Sequence, residues 1–237
     1  MQLTNKATGD GWLQSLLRAA ARLWLTLRYQ VLDRRDGRLV VERINDVSLI
    51  VLPGVFNPVL FRSGEFMAEI VAGLPLAVGA RVLDMGTGSG VSAIFAARQG
   101  VQVTAVDINP EAVRCVQINA LLNDMAEQVV AIEGDLFAPV IGQRFDLILF
   151  NPPFYRGRPA DDPDHAWRSQ DVFERFAAEL DSFLFPGGRS LIILSSDGAG
   201  DQLLALLEQT GFTLCPVTSK NLINEILTIY EVKRSDY

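Results

Sequence analysis

At 237 residues, with 49% hydrophobic and 21% charged side chains, the chain has the composition of a soluble globular protein, long enough for one α/β domain with an appendage. Its two cysteines, Cys115 and Cys215, are far apart and it has a single histidine, so a zinc site or histidine-based catalysis has little to work with; no metal is expected, and the thiols read as reduced residues of a cytoplasmic protein. The net charge of −7 is uneven: residues 1–43 carry eight Lys/Arg against four Asp/Glu and the remainder 13 against 24, an acidic body that disfavours a polynucleotide partner while leaving room for a local basic patch.

Trp12, Leu13, Leu16, Leu17, Ala20, Leu23, Trp24 and Leu27 recur at helical spacing, predicting a helix packed on the main domain or on a second copy, with a membrane-surface helix as the alternative. Arg18 and Arg22 interrupt this stretch, which is too polar and short to span a bilayer, so no membrane partner is expected. Residues 38–44 and 47–52 read as a hairpin turning at Asn45-Asp46, and the run from Pro53 to Pro58 breaks regular structure. Residues 1–60 are thus expected to form a helical and hairpin extension, and residues 61–237 the main domain.

From residue 65 onward helix and strand patterns alternate. Helices are predicted over 65–74, 92–99, 110–122, 170–184 and 202–210, the third opened by Asn109 as cap and Pro110 at its first position. Strands are predicted over 81–85, 101–106, 128–133, 145–150, 189–194, 212–217 and 226–232. This alternation predicts a Rossmann-like α/β fold: a doubly wound, seven-stranded, mostly parallel sheet that binds ligands at the C-terminal ends of its strands.

Three of those strand ends carry an acid. The first strand runs into Asp84-Met85-Gly86-Thr87-Gly88-Ser89-Gly90, whose glycines allow a tight turn and close approach of a ligand to the backbone. Dinucleotide folds prefer G-x-G-x-x-G, where a helix N-terminus receives a pyrophosphate. Here the spacing is G-x-G-x-G behind an acid, which repels a pyrophosphate and suits a ligand bearing an ammonium group. Asp107, followed by Ile108, closes the second strand, where a carboxylate can accept from both ribose hydroxyls or cap the helix starting at Pro110. Asp135 and Leu136 follow the third strand, where the acid can accept from an adenine amino group and Leu136 offers backbone and apolar contact. A nucleoside with a cationic tail is the ligand that fits all three.

Over roughly residues 60–233 the chain resembles the class I S-adenosylmethionine-dependent methyltransferases. The resemblance implies S-adenosylmethionine as cofactor. It implies that Asp84, Gly86, Thr87, Gly88 and Gly90 hold its methionine and ribose portion, Asp107 and Ile108 the ribose hydroxyls, and Asp135 and Leu136 the adenine. Asn151-Pro152-Pro153-Phe154, at the end of the fourth strand, is similar to the N-P-P-[FY] motif of release-factor glutamine methyltransferases and of adenine-N6 and guanine-N2 methyltransferases. The motif has a chemical logic. A planar NH2 nitrogen attacks poorly because its lone pair is delocalised. The Asn151 side-chain oxygen and the Pro152 carbonyl can accept its two N–H bonds and direct the lone pair at the methyl carbon. The prolines stiffen the turn, and Phe154 can pack against a flat amide or base.

The segment 155–168 that follows is polar and punctuated, as a substrate-facing loop would be. Tyr155, Arg156, Arg158 and Trp167 suit a base and phosphates or a peptide, Asp161, Asp162 and Asp164 suit a polyanion less well, and His165 reads as a solvated or packing residue. Upstream, 55–66 occupies the place where the glutamine-methylating family closes over the methionine tail, which implies Ser63 and Gly64 as cofactor contacts, although the family's acidic-threonine pair is absent. The expected activity is methyl transfer to a planar amide or amino nitrogen. A protein glutamine is placed slightly ahead of a ribosomal or transfer RNA base, with a small-molecule amine also open. A nicotinamide oxidoreductase is disfavoured by the glycine spacing, and a non-catalytic binding protein by the intact acids and Asn151.

Overall fold

The computed structural model describes residues 38–153, 155–156, 168–222 and 225–235. The expected helix at 12–27 and most of the 155–168 loop lie outside the described residues.

A hairpin of β1 (Val40–Ile44) and β2 (Val47–Val51) comes first, its left-handed turn residue Asn45 at φ 53°. Alternation in β2 buries Val47, Leu49 and Val51, of which Val47 and Leu49 join the core shared with the main sheet. At the turn, both oxygens of Asp46 accept from the Arg98 guanidinium, at 2.8 and 2.6 Å, pinning the hairpin to the body. A one-turn helix, α1 (Pro58–Phe61), was not expected from the sequence. Asn57 caps it by accepting from the backbone N–H groups of Val59 and Leu60, with Pro58 at its first position. This is the same Asn-Pro signal that marks Asn109-Pro110.

Helix α2 (Ser63–Ala72) leads to β3 (Arg81–Met85), α3 (Val91–Ala97), β4 (Gln102–Asp107), α4 (Pro110–Leu122), β5 (Val129–Glu133) and β6 (Phe145–Phe150). Two short strands, β7 (Tyr155–Arg156) and β8 (Arg168–Ser169), pair in parallel. Then follow α5 (Val172–Phe183), β9 (Leu184–Ser195), α6 (Gly200–Gln209), β10 (Phe212–Asn221) and β11 (Ile226–Arg234). The seven-stranded sheet has the order β10-β11-β9-β6-β3-β4-β5, in which β11 alone runs against the other six strands and so pairs antiparallel with both β9 and β10. All seven expected strands are present, and the order reverses between β3 and β6, the position where such sheets open a ligand crevice.

Successive residues of the central strands feed two cores. Val82, Leu147, Leu149, Leu191 and Ile193 pack with α2, α3 and the hairpin, whereas Leu83, Ile148, Phe150, Ile192 and Leu194 pack with α5 and α6. Burial on both faces explains why these strands read as continuous apolar runs instead of alternating ones. Most element ends shift by one to five residues from expectation, and one shift changes the type of element. The predicted helix 170–184 ends at Phe183, and β9 begins at Leu184, before the Pro186-Gly187-Gly188 break. The break interrupts the ladder without ending the strand: Phe145 pairs with Leu184 and Leu147 with Arg189. Among the described residues no helix is long and apolar enough to cross a membrane.

Candidate active site

The glycine loop between β3 and α3 is built from three left-handed residues, Gly86, Gly88 and Gly90, at φ 63°, 56° and 80°. A side chain at Gly90 would meet Val116 Cγ2 at 2.9 Å, so this glycine is required for packing on α4. Gly86 is different, because an added Cβ there meets nothing within 4 Å. Its backbone therefore borders open space, as a cradle for a ligand must.

Two carboxylates hold the loop in shape. Asp84 Oδ2 accepts from Thr87 Oγ1 at 2.6 Å and from the Ala93 N–H at 3.1 Å, bracing both the turn and the start of α3. No described donor is recorded on Oδ1. Burial pushes the Asp84 carboxyl up to about 7, against the pull of the Thr87 and Ala93 hydrogen bonds, and the neighbouring Asp107 adds to the rise. Asp107 Oδ2 accepts from the Gly88 N–H at 2.8 Å and Oδ1 from the Asn109 N–H at 2.9 Å. Burial raises this carboxyl as well, while its backbone hydrogen bonds oppose the shift. Asn109 performs the capping expected of it by accepting from the Glu111 N–H, and it also donates to the Gly54 carbonyl.

A cleft opens at the switch point between β3 and β6. Of the residues singled out from sequence, Gly64, Asp84, Gly86, Thr87, Gly88, Asn151 and Pro152 line it. Ser63 lies behind the lining, fully buried, and its Oγ accepts from Asn151 Nδ2 at 3.1 Å. Gly90 caps α3 against Val116, outside the lining. Asp107, Ile108, Asp135 and Leu136 lie at the neighbouring strand ends, outside the lining. Ile108 is 48% exposed. Asp135 accepts from Arg175 on α5 at 2.7 Å, and Leu136, in the left-handed region at φ 48°, turns its side chain into the second core. Phe154 falls outside the described residues.

Sequence reasoning passed over Phe56, Pro58, Ser89, Val91, Ser92, Phe150 and Pro153, which complete the lining. Ser89 sits inside the glycine motif, and that contiguity is the sequence signal for it. Its hydroxyl is buried without a recorded partner, so the cleft wall carries a polar group to which a ligand can bond. Together with the open space at Gly86 and the unused Asp84 Oδ1, this hydroxyl gives the cleft a donor and acceptor set that fits the amino-acid end of S-adenosylmethionine. Among the described residues no group of three or more His, Cys, Asp or Glu is placed to hold a metal.

The doubly wound sheet and its glycine loop at the switch point define a class I S-adenosylmethionine-dependent methyltransferase. More closely, residues 46–217 match the methyltransferase small domain, and the chain belongs to that family. It is 32% identical over 149 residues to the ribosomal RNA small subunit methyltransferase C of Alcanivorax borkumensis, covering 62% of this chain and 42% of that protein. A Methanocaldococcus jannaschii protein, provisionally named a protein N5-glutamine methyltransferase, is 30% identical over 183 residues, covering 73% of this chain and 88% of its own. In fold the chain is similar to the T. thermophilus 16S rRNA N2 methyltransferase solved with AdoMet and guanosine, with a TM-score of 0.64 and 22% identity over 84% of this chain and half of that one. The chain thus spans half or less of the ribosomal RNA enzymes it matches and most of the M. jannaschii protein.

Proposed function

We propose that this enzyme is an N-methyltransferase acting on a planar NH2 group, and that its acceptor is a protein glutamine side chain. The observation that carries the reading is the placement of Asn151. Its Nδ2 is taken by Ser63 within the protein, and its Oδ1 has no recorded donor among the described residues, in a cleft it shares with Asp84 and the glycine loop. An acceptor oxygen beside a cofactor crevice is what a weakly nucleophilic amide nitrogen needs.

Asp84 would hold the ammonium group of S-adenosylmethionine, with Gly86, Gly88, Thr87 and Gly64 holding the methionine portion. Asp107 and Ile108 would hold the ribose, and Asp135 and Leu136 the adenine. S-adenosylmethionine supplies an electrophilic methyl on a sulfonium whose departure leaves a neutral thioether. Asn151 Oδ1 and the Pro152 carbonyl would accept the two N–H bonds of the incoming amide and so orient its lone pair for attack. One amide proton then passes to water, and the nitrogen is left neutral. Positioning drives the reaction, with no strong base.

The similarity over 88% of the M. jannaschii protein and the acidic body favour a glutamine in a protein over a nucleic acid base, and the free thiols Cys115 and Cys215 suit a cytoplasmic setting. An RNA guanine or adenine amino group is the second reading, favoured by the similarity to the A. borkumensis enzyme. Transfer of labelled methyl from S-adenosylmethionine into separated protein, RNA and small-molecule fractions of a cell extract tests both, with Asn151→Ala as control. Asn151-dependent label in protein supports the glutamine reading, whereas label confined to RNA replaces it with the base reading.

A further inference from the structure

The geometry points to Ser63 as a positioning residue that anchors the Asn151 side-chain amide at the cleft and does not touch the cofactor. The inference rests on the role proposed above for Asn151 Oδ1.

A primary amide has two ends of nearly equal size, and exchanging them reverses its chemistry. With Nδ2 on Ser63 Oγ at 3.1 Å, Oδ1 is free to accept from a substrate nitrogen. A hydroxyl can hold either end of an amide, so Ser63 acts as an anchor: without it the Asn151 side chain is free to rotate away from the acceptor, and the nitrogen lone pair loses its guide. The placement of Asn151 therefore decides whether the cleft can activate its substrate.

Ser63 is built for this task. It is fully buried and lies outside the cleft lining, so neither solvent nor a cleft ligand competes for its hydroxyl. The residue before it, Arg62, is held at φ 64°, a left-handed conformation that strains a non-glycine residue. That turn ends α1 and starts α2, and it sets the first residue of α2 against the turn that leaves β6. Gly64 locks the corner: an added Cβ would lie 2.8 Å from Pro58 Cβ, so α1 and α2 meet at a distance only glycine allows. The strained corner delivers one hydroxyl to one amide 88 residues away in sequence.

The test uses the full chain with Ser63→Ala, Ser63→Thr, Asn151→Ala and the Ser63→Ala/Asn151→Ala double variant. Measured are S-adenosylmethionine affinity by calorimetry, single-turnover methyl transfer into the extract fraction that the wild type labels, KM for that fraction, and the Asn151 side-chain amide resonances by NMR. For Ser63→Ala the expected result is affinity and KM within about twofold of wild type and a transfer rate lower by about tenfold. The Asn151 resonances shift, Ser63→Thr restores most of the rate, and Ser63→Ala adds no further loss to Asn151→Ala. A wild-type rate in Ser63→Ala, unmoved Asn151 resonances, or a loss of cofactor affinity that matches the loss of rate would each overturn the assignment. The two levels separate cleanly. If Asn151→Ala transfers normally, the role of Asn151 fails and Ser63 with it. If Asn151→Ala is inactive and Ser63→Ala is not, the Ser63 assignment alone fails. Should the extract contain no acceptor, the resonances decide.

Discussion

Asn119, in the last turns of α4, makes hydrogen bonds to both backbone groups of Ile50 in the hairpin: the Ile50 N–H donates to Oδ1 at 2.7 Å and Nδ2 donates to the Ile50 carbonyl at 2.8 Å. The second N–H of the same amide reaches the Ser89 carbonyl at 2.8 Å, so one fully buried side chain ties hairpin, helix and glycine loop together. Replacing it by Leu keeps the volume and takes the partner from the Ile50 N–H and the buried Ser89 carbonyl, leaving the Ile50 carbonyl only the Cys115 thiol at 3.0 Å. Asn119→Leu is expected to destabilise the protein by about 3 kcal/mol, read from chemical denaturation, and to weaken S-adenosylmethionine binding through the displaced loop. A loss below about 1 kcal/mol would mean that water replaces the amide at little cost.

Asn151→Ala removes the acceptor oxygen and leaves the glycine loop untouched. Transfer is expected to fall by roughly 100- to 1,000-fold, the range seen for loss of one preorganised transition-state partner, with cofactor affinity retained. Single-turnover kinetics beside calorimetry separate these effects. Tight binding with unchanged turnover would remove Asn151 from the chemistry.

Asp107 carries two loop hydrogen bonds and faces the proposed ribose position. Hydrogen bonds to a charged group are worth about 1.5–3 kcal/mol, so Asp107→Ala should weaken S-adenosylmethionine binding by about 10- to 100-fold. A titration showing wild-type affinity would exclude Asp107 from the cofactor site.

The Asp84 carboxyl gives a pH signature whose sign is fixed. Its folded-state value, about 7, lies above the ordinary 3.8, so between about 4 and 7 the native protein holds a proton that the unfolded chain has released. Native stability without cofactor therefore falls as pH rises through this window, by up to about 1.4 kcal/mol per pH unit from this group. Above pH 7 that contribution is gone. Asp84→Asn should flatten the slope, leaving the part due to Asp107, which burial shifts in the same direction. A cationic ligand favours the ionised carboxylate, so cofactor affinity should rise with pH from 6 to 8 in the wild type and lose most of that dependence in Asp84→Asn. Denaturant melts and calorimetry at stepped pH measure both; a stability that rises from pH 4 to 7 and is insensitive to Asp84→Asn would contradict the assignment.

The glycines of the loop should separate by consequence. Gly90→Ala puts a Cβ 2.9 Å from Val116 Cγ2 at φ 80°, and a loss of about 2–3 kcal/mol in stability is expected from overpacking plus backbone strain. Gly86→Ala meets nothing within 4 Å and should cost only the strain, about 1 kcal/mol, while reducing cofactor affinity because its methyl enters the ligand space. Equal affinity in Gly86→Ala and wild type would show that no ligand approaches that backbone.

The sequence alone determined the sheet, because its signals are local. Apolar runs such as Phe145 to Phe150 state burial on both faces, Asn109-Pro110 states a helix start, and three glycines at alternate positions behind Asp84 state a left-handed turn, each through the conformational preferences of the residues themselves. It also named most residues of the cleft walls where a motif is contiguous, Ser89 and Pro153 excepted. Tertiary structure decided what depends on distance through space. The Ser63–Asn151 and Asn119–Ile50 hydrogen bonds join residues 88 and 69 positions apart, and Asp135–Arg175 joins residues 40 apart. A lone serine or asparagine in a helix carries no mark of its partner. A hydrogen bond is made where two groups meet, and only the packing of the corner at Arg62 and of α4 on the hairpin brings these groups together.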